Sequence, residues 1–472
     1  MSGAVRPAPY RPLRLAAAAA LLLPVLCLPA ACRAQQVDSA AIAASAERIL
    51  HQTGVPGATV GVAMHGHIVY TAGFGAARLV PYVAARPEMR FPIGSITKQF
   101  TAAGLLLLAE QGKLSLDDPV SRWFPELTRA HEVTLRNLLT HTSGYQDYAP
   151  QDYTLSAWTR PVDPLAVVHT WAGKPLDFAP GTQWQYSNTN FLLATLILER
   201  ASGEPYGQFL RHAVLQPLGI ADALDLDTDR DRMEPTGYQQ YALAAPRPAL
   251  LEAPGWYTGD ANLVLSVADL LQWDLSLIDH SLLRPASYAA LAQSFHLRDG
   301  TDTGYGLGLE SGVVDGHRVL QHSGEVGGFV AQNTVYPDDG VAIAVLTNEE
   351  ASTAAPQIAE AIARQLLPAA PETPPVAQLH RLLLQLARGT VDRSQLTPDL
   401  SDYFNAEALA DFRTSLAPLG TPTSFRLTQQ EARGGMTLRL YRVEYVTGTR
   451  VTVSTYSMPD GRLEQLLVSP AE

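Results

Sequence analysis

The spacing of apolar residues divides the chain into stretches of two periods. Ile42, Ala46, Ile49 and Leu50 fall on one face of a 3.6-residue period, which predicts a helix over residues 38–51. Two apolar runs, Ala58–Met64 and Ile68–Ala72, flank His65-Gly66-His67 and read as a hairpin. Residues 95–111 are apolar nearly all round (Ile96, Phe100, Ala103, Leu105 to Leu108), which predicts a helix buried at a domain centre and stopped by Gly112. Residues 113–180 are rich in turn residues, with one amphipathic stretch at 133–140. A helix over about 189–202 ends at Gly203, residues 204–260 read as irregular and proline-rich, and a helix follows at 266–278. From 305 to 347 the period becomes two, giving strands at Gly306–Leu309, Arg318–His322, Phe329–Val335 and Val341–Thr347, with Pro337-Asp338-Asp339-Gly340 turning between the last two. A helix at about 354–367 closes this region.

Both ends read differently. Residues 368–376 (Pro-Ala-Ala-Pro-Glu-Thr-Pro-Pro-Val) predict a proline-rich linker. Beyond it, helices at about 376–388 and 405–416 and strand-like runs near 423–430, 436–446, 450–457 and 462–468 outline a small α+β domain over 377–472, without a cluster of catalytic side chains. At the other end, Arg6, Arg11 and Arg14 precede an Ala/Leu-rich run over 15–31 and then small residues. That is the pattern of a signal peptide over 1–34, so an exported, periplasmic or secreted protein is expected. Leu28-Pro29-Ala30-Ala31-Cys32 resembles a lipobox with Pro29 where an aliphatic residue belongs, so lipoprotein processing is the second route. A membrane partner is expected only if Cys32 is lipidated. Both cysteines, Cys27 and Cys32, lie in this segment, and cleavage after Ala34 leaves neither thiolate chemistry nor a disulfide.

Composition narrows the choice of partners. With 46% apolar and 17% charged residues, the chain is that of a globular protein with a large core. Its 34 basic and 46 acidic residues give −12, and loss of the four arginines before residue 35 leaves −16. That balance disfavours nucleic acid, which demands clustered Lys and Arg. Lysine is scarce: Lys98, Lys113 and Lys174 are the only three. A motif that needs a lysine therefore has few chances to arise by accident.

One such motif stands at the start of the apolar helix, Gly94-Ser95-Ile96-Thr97-Lys98. Serine and lysine three apart on a helix share a face. A hydroxyl is a weak nucleophile until a base takes its proton, and a lysine serves as that base where burial favours the neutral amine. A helix N-terminus adds N–H groups suited to an oxyanion. The bland alternative is an N-cap serine with an unrelated surface lysine. A second cluster, Tyr186-Ser187-Asn188, follows the bend Phe178-Ala179-Pro180-Gly181 and precedes a helix. A phenolate near cations can be a general base and an amide can hold a substrate carbonyl, although helix capping and packing would also use these residues. A third, His322-Ser323-Gly324, ends a strand before Glu325 and Gly327-Gly328. A strand edge there can pair with an extended substrate, and Gly324 permits close backbone approach. Asp225, Asp227 and Asp229 imitate a calcium loop, but Arg230 and Thr236 stand where that loop needs Gly and Glu, so a solvated acidic loop is expected. His65-x-His67 reads as a polar turn rather than a metal site. No cofactor and no metal are expected.

Together, over about residues 38–367, the three clusters and their order resemble the β-lactamase-related serine hydrolases: class C β-lactamases, DD-peptidases, D-amino-acid peptidases and penicillin-binding protein-like esterases. Leu138-Leu139-Thr140-His141-Thr142-Ser143-Gly144, Pro217-Leu218-Gly219 and Tyr305-Gly306-Leu307-Gly308 fit as well. The resemblance implies an α+β, DD-peptidase/β-lactamase-like fold: an antiparallel sheet flanked by helices, with a helical subdomain inserted from about 105 to 265. It implies Ser95 as the acylated nucleophile, Lys98 as its proton partner and Tyr186 as general base, notably in deacylation. Asn188 then contacts the substrate amide, His322 and Gly324 lie on the substrate-binding strand, and the N–H groups of Ser95 and Glu325 form the oxyanion hole. His322 stands where the family's Lys-Thr-Gly has its lysine. A mostly neutral histidine recognises a carboxylate poorly, and that choice belongs to the peptidase and esterase branches. The expected function is acyl-enzyme hydrolysis of an amide or ester in a small-molecule or peptide substrate. The alternatives are a β-lactamase proper and a penicillin-binding sensor that does not turn over. The oligomeric state is open.

Overall fold

The computed structural model describes residues 1, 3, 37–151, 153–242, 244–367 and 373–470. Apart from Met1 and Gly3, the expected signal peptide lies outside the described residues, as do both cysteines and residues 368–372 of the expected linker. Met1–Val37 forms one unit and Asp38–Glu472 the other, and everything below concerns the second.

Helix α1 (Ser39–Thr53) opens where the Asp38 carboxylate accepts from the Ala40 and Ala41 N–H groups, a satisfied N-cap. It leads into the hairpin β1 (Gly57–Met64) and β2 (His67–Arg78), followed by the short β3 (Val83–Ala84). The chain then leaves the sheet for helices α2 (Thr97–Glu110), α3 (Leu135–Leu139), α4 (Pro164–Trp171), α5 (Asn188–Ser202) and α6 (Val267–Asp279). It returns through β4 (Glu310–Val314), β5 (His317–Val326), β6 (Phe329–Tyr336) and β7 (Val341–Thr347), and ends this region in α7 (Ala354–Leu366). The seven-stranded sheet runs β3-β2-β1-β7-β6-β5-β4, and every pairing in it is antiparallel.

Burial explains that order. Strands β1, β6 and β7 are buried at every position, as central strands covered on both faces must be. Helix α6 lies on β1 at Gly61, where a Cβ would come within 2.8 Å of Val267 and 2.7 Å of Leu271. Helices α1 and α7 pack on each other and α7 on β7. At the other end β5 runs beyond its partner β4, which pairs only with His317–Gln321, so residues 322–326 form an edge. The observed architecture is thus a mixed α/β fold with an antiparallel sheet and a block of helices.

Several boundaries differ from expectation. Gly306–Leu309 is not a strand; β4 begins at Glu310. Helix α2 begins at Thr97, and Ser95 sits in the preceding single 3₁₀ turn Gly94–Ile96. Two helices that open on proline, α4 and Pro285–Ala292, fall where none was expected, and Tyr206–Leu210 interrupts the irregular stretch. The loop of Asp225, Asp227 and Asp229 is not merely solvated. Burial pushes the Asp225 carboxyl up to about 6, and Asp227 accepts from Gly255 N–H at 3.1 Å and Thr258 Oγ1 at 2.6 Å.

Past the undescribed residues 368–372, Pro374 and Pro375 open helix α8 (Pro374–Leu386) instead of ending a linker, since proline fits the first turn of a helix. After α9 (Ala406–Leu416) come β8 (Pro422–Arg433), β9 (Met436–Tyr445), β10 (Arg450–Ser457) and β11 (Leu463–Pro470), a four-stranded antiparallel sheet in sequence order. Leu379, Leu383 and Leu386 of α8 pack with Tyr441, Val443, Val453 and Leu466 into a hydrophobic cluster of their own.

Candidate active site

The site grows from the turn that precedes α2. Phe91–Pro92 pairs with Val264–Leu265, and Ile93 N–H donates to Leu263 O at 3.0 Å, which fixes the approach to Gly94. Gly94 has φ +54°, and a Cβ there would lie 2.3 Å from Glu325 N. A Cβ on Gly324 would lie 1.9 Å from Ile93 O and 2.9 Å from Ser95 N. The serine turn and β5 therefore touch backbone to backbone, in a contact that only two glycines allow. This apposition brings Ser95 and Glu325 together, the pair expected to supply the oxyanion hole. The two-residue turn Gly327-Gly328 makes Val326 and Phe329 a hydrogen-bonded pair, so by alternation Ser323 and Glu325 direct their N–H groups away from β6.

Lys98 is fully buried one turn along from Ser95. Its Nζ donates to Ser95 Oγ at 2.9 Å, Asn188 Oδ1 at 2.8 Å and the Asp260 backbone carbonyl at 3.1 Å. All three partners are acceptors, which fills the donor set of one ammonium group. Gly308 crosses directly over this residue, with a Cβ position only 2.9 Å from Lys98 O. Asn188 is itself held. Its N–H donates to Asp147 Oδ1 at 2.9 Å, and its Nδ2 donates to Ala149 O at 3.2 Å.

Tyr186 lies beside the lysine, whose Nζ is 5.0 Å from the ring centroid. Its hydroxyl is buried and has no hydrogen-bond partner among the described residues. The ring packs on His141 at 4.2 Å between centroids. His141 is fully buried, and burial holds its imidazole well below the usual range, with Lys98 adding to the effect. Its Nδ1 accepts from Ser187 N–H at 3.2 Å, so a neutral imidazole steadies the Tyr186 turn.

His322 is also buried in its neutral form. Desolvation pushes it down to about 4, against the opposing pull of its hydrogen bond to Ser323 O. Tyr305 Oη lies 2.8 Å from Nε2, an arrangement that suits the Nδ1–H tautomer. Below the site a polar network ties helices to sheet. Asn333 of β6 accepts from His322 N–H at 3.2 Å and donates to Asp274 of α6 at 2.7 Å, while Gln99 of α2 accepts from Trp273 Nε1 at 2.6 Å. Burial pushes Asp274 up to about 8.

The structure thus gathers Ser95, Lys98, Tyr186, Asn188, His322, Gly324 and Glu325 at one cleft. It adds residues for which the sequence carries no periodic or motif signal. Asp260 is fully buried beneath Lys98, and burial pushes its carboxyl up to about 7 despite the lysine's attraction. One of its oxygens accepts from Tyr148 Oη at 2.9 Å; the other is buried and unpartnered. Among the described residues, the cleft, about 720 Å³, is lined by Asp147, Glu252, Glu310, Glu325 and Glu350, and by no lysine or arginine. Three of these carboxylates hold the turn at the end of the cleft. Glu252 accepts from Gly327 N–H at 3.2 Å, Glu350 from Gly328 N–H at 2.9 Å, and Glu325 from Ala351 N–H at 2.6 Å. Burial pushes the Glu252 and Glu350 carboxyls up.

A serine–lysine pair at a helix start, opposite a sheet edge, defines a class of fold and site, and comparison with known proteins agrees. Residues 41–367 match the Beta-lactamase family, and the chain belongs to that family. Over 317 residues it is 29% identical to Penicillin-binding protein 4* of Bacillus subtilis, covering 62% of this chain and 68% of that protein. The chain spans about two thirds of the length of the curated relatives it matches. Among solved structures it is similar to the octameric penicillin-binding protein homologue from Pyrococcus abyssi. That match has a TM-score of 0.62 and 22% identity, and covers 92% of this chain and 100% of that one. It is also similar to a D-stereospecific amidohydrolase from a Streptomyces species, with a TM-score of 0.60 and 26% identity over 69% of this chain and 98% of that one. No helix among the described residues is long and apolar enough to cross a membrane.

Proposed function

We propose that the protein is an exported serine hydrolase that cleaves an amide or ester through an acyl-enzyme, with residues 38–367 as its catalytic domain. The observation that carries this reading is the 2.9 Å contact between Ser95 Oγ and the buried Lys98 Nζ. In the state that reacts Lys98 is the neutral amine: Ser95 Oγ attacks the carbonyl carbon, its proton passes to the Lys98 lone pair, and the N–H groups of Ser95 and Glu325 receive the oxyanion. The leaving amine or alkoxide departs with a proton from the Lys98–Tyr186 pair. Water then attacks the acyl carbon, Tyr186 as phenolate takes its proton, the bond from Ser95 Oγ to the acyl carbon breaks, and Ser95 Oγ regains a proton from the same pair. Asn188 and the 322–324 edge hold the substrate.

Two features favour a peptidase, amidase or esterase over a β-lactamase. His322 is neutral at pH 7, and among the described residues the cleft lining holds five carboxylates and no cation, Lys98 being buried behind Ser95. A substrate carboxylate finds no positive partner there and meets negative charge. The likeness to a D-stereospecific amidohydrolase supports the amide branch. Export rests on the pattern of residues 1–34, and residues 377–472 form a separate small domain in this reading.

The test is a fluorophosphonate label read by mass spectrometry, with p-nitrophenyl esters, D-aminoacyl p-nitroanilides and nitrocefin assayed in parallel. One adduct on Ser95 with turnover of an ester or anilide is expected, and Ser95→Ala loses both. Label or turnover surviving in Ser95→Ala overturns the assignment. A persistent adduct without turnover would make the protein a sensor, and fast nitrocefin hydrolysis a β-lactamase.

A further inference from the structure

The C-terminal segment carries a second cavity, of about 590 Å³, between the first turns of α8 and the face of β9 and β10. Thr437, Arg439 and Tyr441 alternate along β9 and so present one face, and Thr455 and Ser457 do the same on β10. Arg381 of α8 and Arg462 of the turn before β11 complete the charged lining, with Asp460 as its one carboxylate among the described residues. Asp460 is already taken, because Arg462 Nε donates to it at 2.8 Å. Arg439 is fixed by neutral groups: Nε donates to Gln430 Oε1 at 2.8 Å and a terminal nitrogen to Ser457 Oγ at 2.6 Å. Arg381 is exposed, and neither it nor Arg439 has an ion-pair partner among the described residues. The cavity therefore holds two uncompensated guanidinium groups, one of them rigidly placed, beside hydroxyls and the apolar edges of Pro374, Pro375 and Pro459.

Guanidinium groups match carboxylate and phosphate oxygens through paired N–H donors. A cavity this size admits more than the bare anion. We propose that this pocket binds an oxyanion, carboxylate or phosphate, carried on a small uncharged body. Arg381 and Arg439 grip the oxygens, while the hydroxyls of Thr437, Thr455 and Ser457 and the proline edges take the body. The site needs nothing from Ser95, so it stands or falls apart from the hydrolase reading.

Isothermal titration of the full chain at constant ionic strength tests it, with glycerol 3-phosphate and N-acetylglycine as the two anions and glycerol as the neutral control. Saturable binding of at least one anion is expected, and which one binds names the source. Affinity should fall about tenfold in Arg381→Gln and further in Arg381→Glu, the loss of one charge-assisted contact. Arg364→Gln, on α7, should leave it unchanged. Arg381 is exposed and has no ion-pair partner among the described residues, so its variants keep the fold, which a matching thermal melt verifies. Absence of saturable binding by both anions, equal binding of glycerol, or equal affinity in Arg381→Glu overturns the proposal.

Discussion

Two cavities of this chain are opposites. Among the described residues, the cleft around Ser95 is lined by five carboxylates and no lysine or arginine, whereas the pocket at α8 has three arginines and one aspartate. The segments that hold them differ in the same direction: residues 38–367 carry 20 basic and 35 acidic side chains, and residues 373–470 carry ten and nine. A net charge of −12 describes neither. Global charge speaks to solubility and long-range steering, but what a cavity admits depends on the few groups within a screening length of it. Within the first segment the contrast continues inward. Buried Asp260 and Asp274 sit at about 7 and 8, far above an ordinary carboxyl, while the resolved carboxyl shifts of the C-terminal segment, at Asp392 and Asp460, go down.

The comparison can be attacked at its sharpest point, the charge of the cleft. Replacing Glu252 and Glu350 together by Gln keeps groups able to accept from the Gly327 and Gly328 N–H groups and removes two negative charges. The ratio of kcat/KM for a substrate bearing a carboxylate to that for a neutral ester should rise roughly tenfold, the scale of such charges at about 10 Å in a protein. An unchanged ratio would mean that the lining does not select by charge.

Asp260→Asn tests the buried carboxyl. Asp260, pushed up to about 7 by burial, changes its charge beside Lys98 around neutral pH, whereas Asn stays neutral throughout. The step that this titration puts into the kcat/KM profile near pH 7 should vanish in Asp260→Asn, a change of up to about tenfold across it. A residue that only packs would lower the whole profile and leave the step in place.

The smallest effect concerns stability. Asp274, raised to about 8 by burial, keeps in the folded state a proton that the unfolded chain releases near pH 4. Its contribution is therefore greatest at low pH and falls as pH rises from about 4 to 8. Tm should drop between pH 6 and 9, and Asp274→Asn should flatten that drop by a few degrees, as a change of about 1 kcal/mol does in a large domain. Equal slopes in both proteins would contradict the burial argument.

The sequence was most legible where the proposed site compresses into short text. Ser95 and Lys98 stood out through scarcity of lysine, Tyr186, Asn188 and His322 through order, and the structure gathers all five at one cleft. Val341–Thr347 was read to the residue because a central strand is apolar throughout. The misreadings have physical causes. Tyr305-Gly306-Leu307-Gly308 imitates strand alternation, yet Gly308 has φ +79° and crosses over Lys98, which no strand residue could do. Pro374, read as part of a linker, starts a helix, and so do Pro164 and Pro285 in segments where no helix was expected. Asp147, Asp260 and Glu252 were missed because they come from irregular segments, where only the folded chain decides what a side chain meets. That Ser95 and Glu325 meet was expected from the family resemblance alone, since 230 residues separate them and no local pattern links them.

That last contact sets how this hydrolase could be lost. Gly94 and Gly324 leave no room for a methyl group between the serine turn and β5. A single alanine at either position would leave Ser95, Lys98, Tyr186 and His322 in place in the text while prising apart the N–H groups of Ser95 and Glu325, the proposed oxyanion donors. Such a chain would still fold around its sheet and still spell its motif, yet be silent as a catalyst. For telling working copies from dead ones, two absent carbon atoms carry more information than the four side chains that name the site.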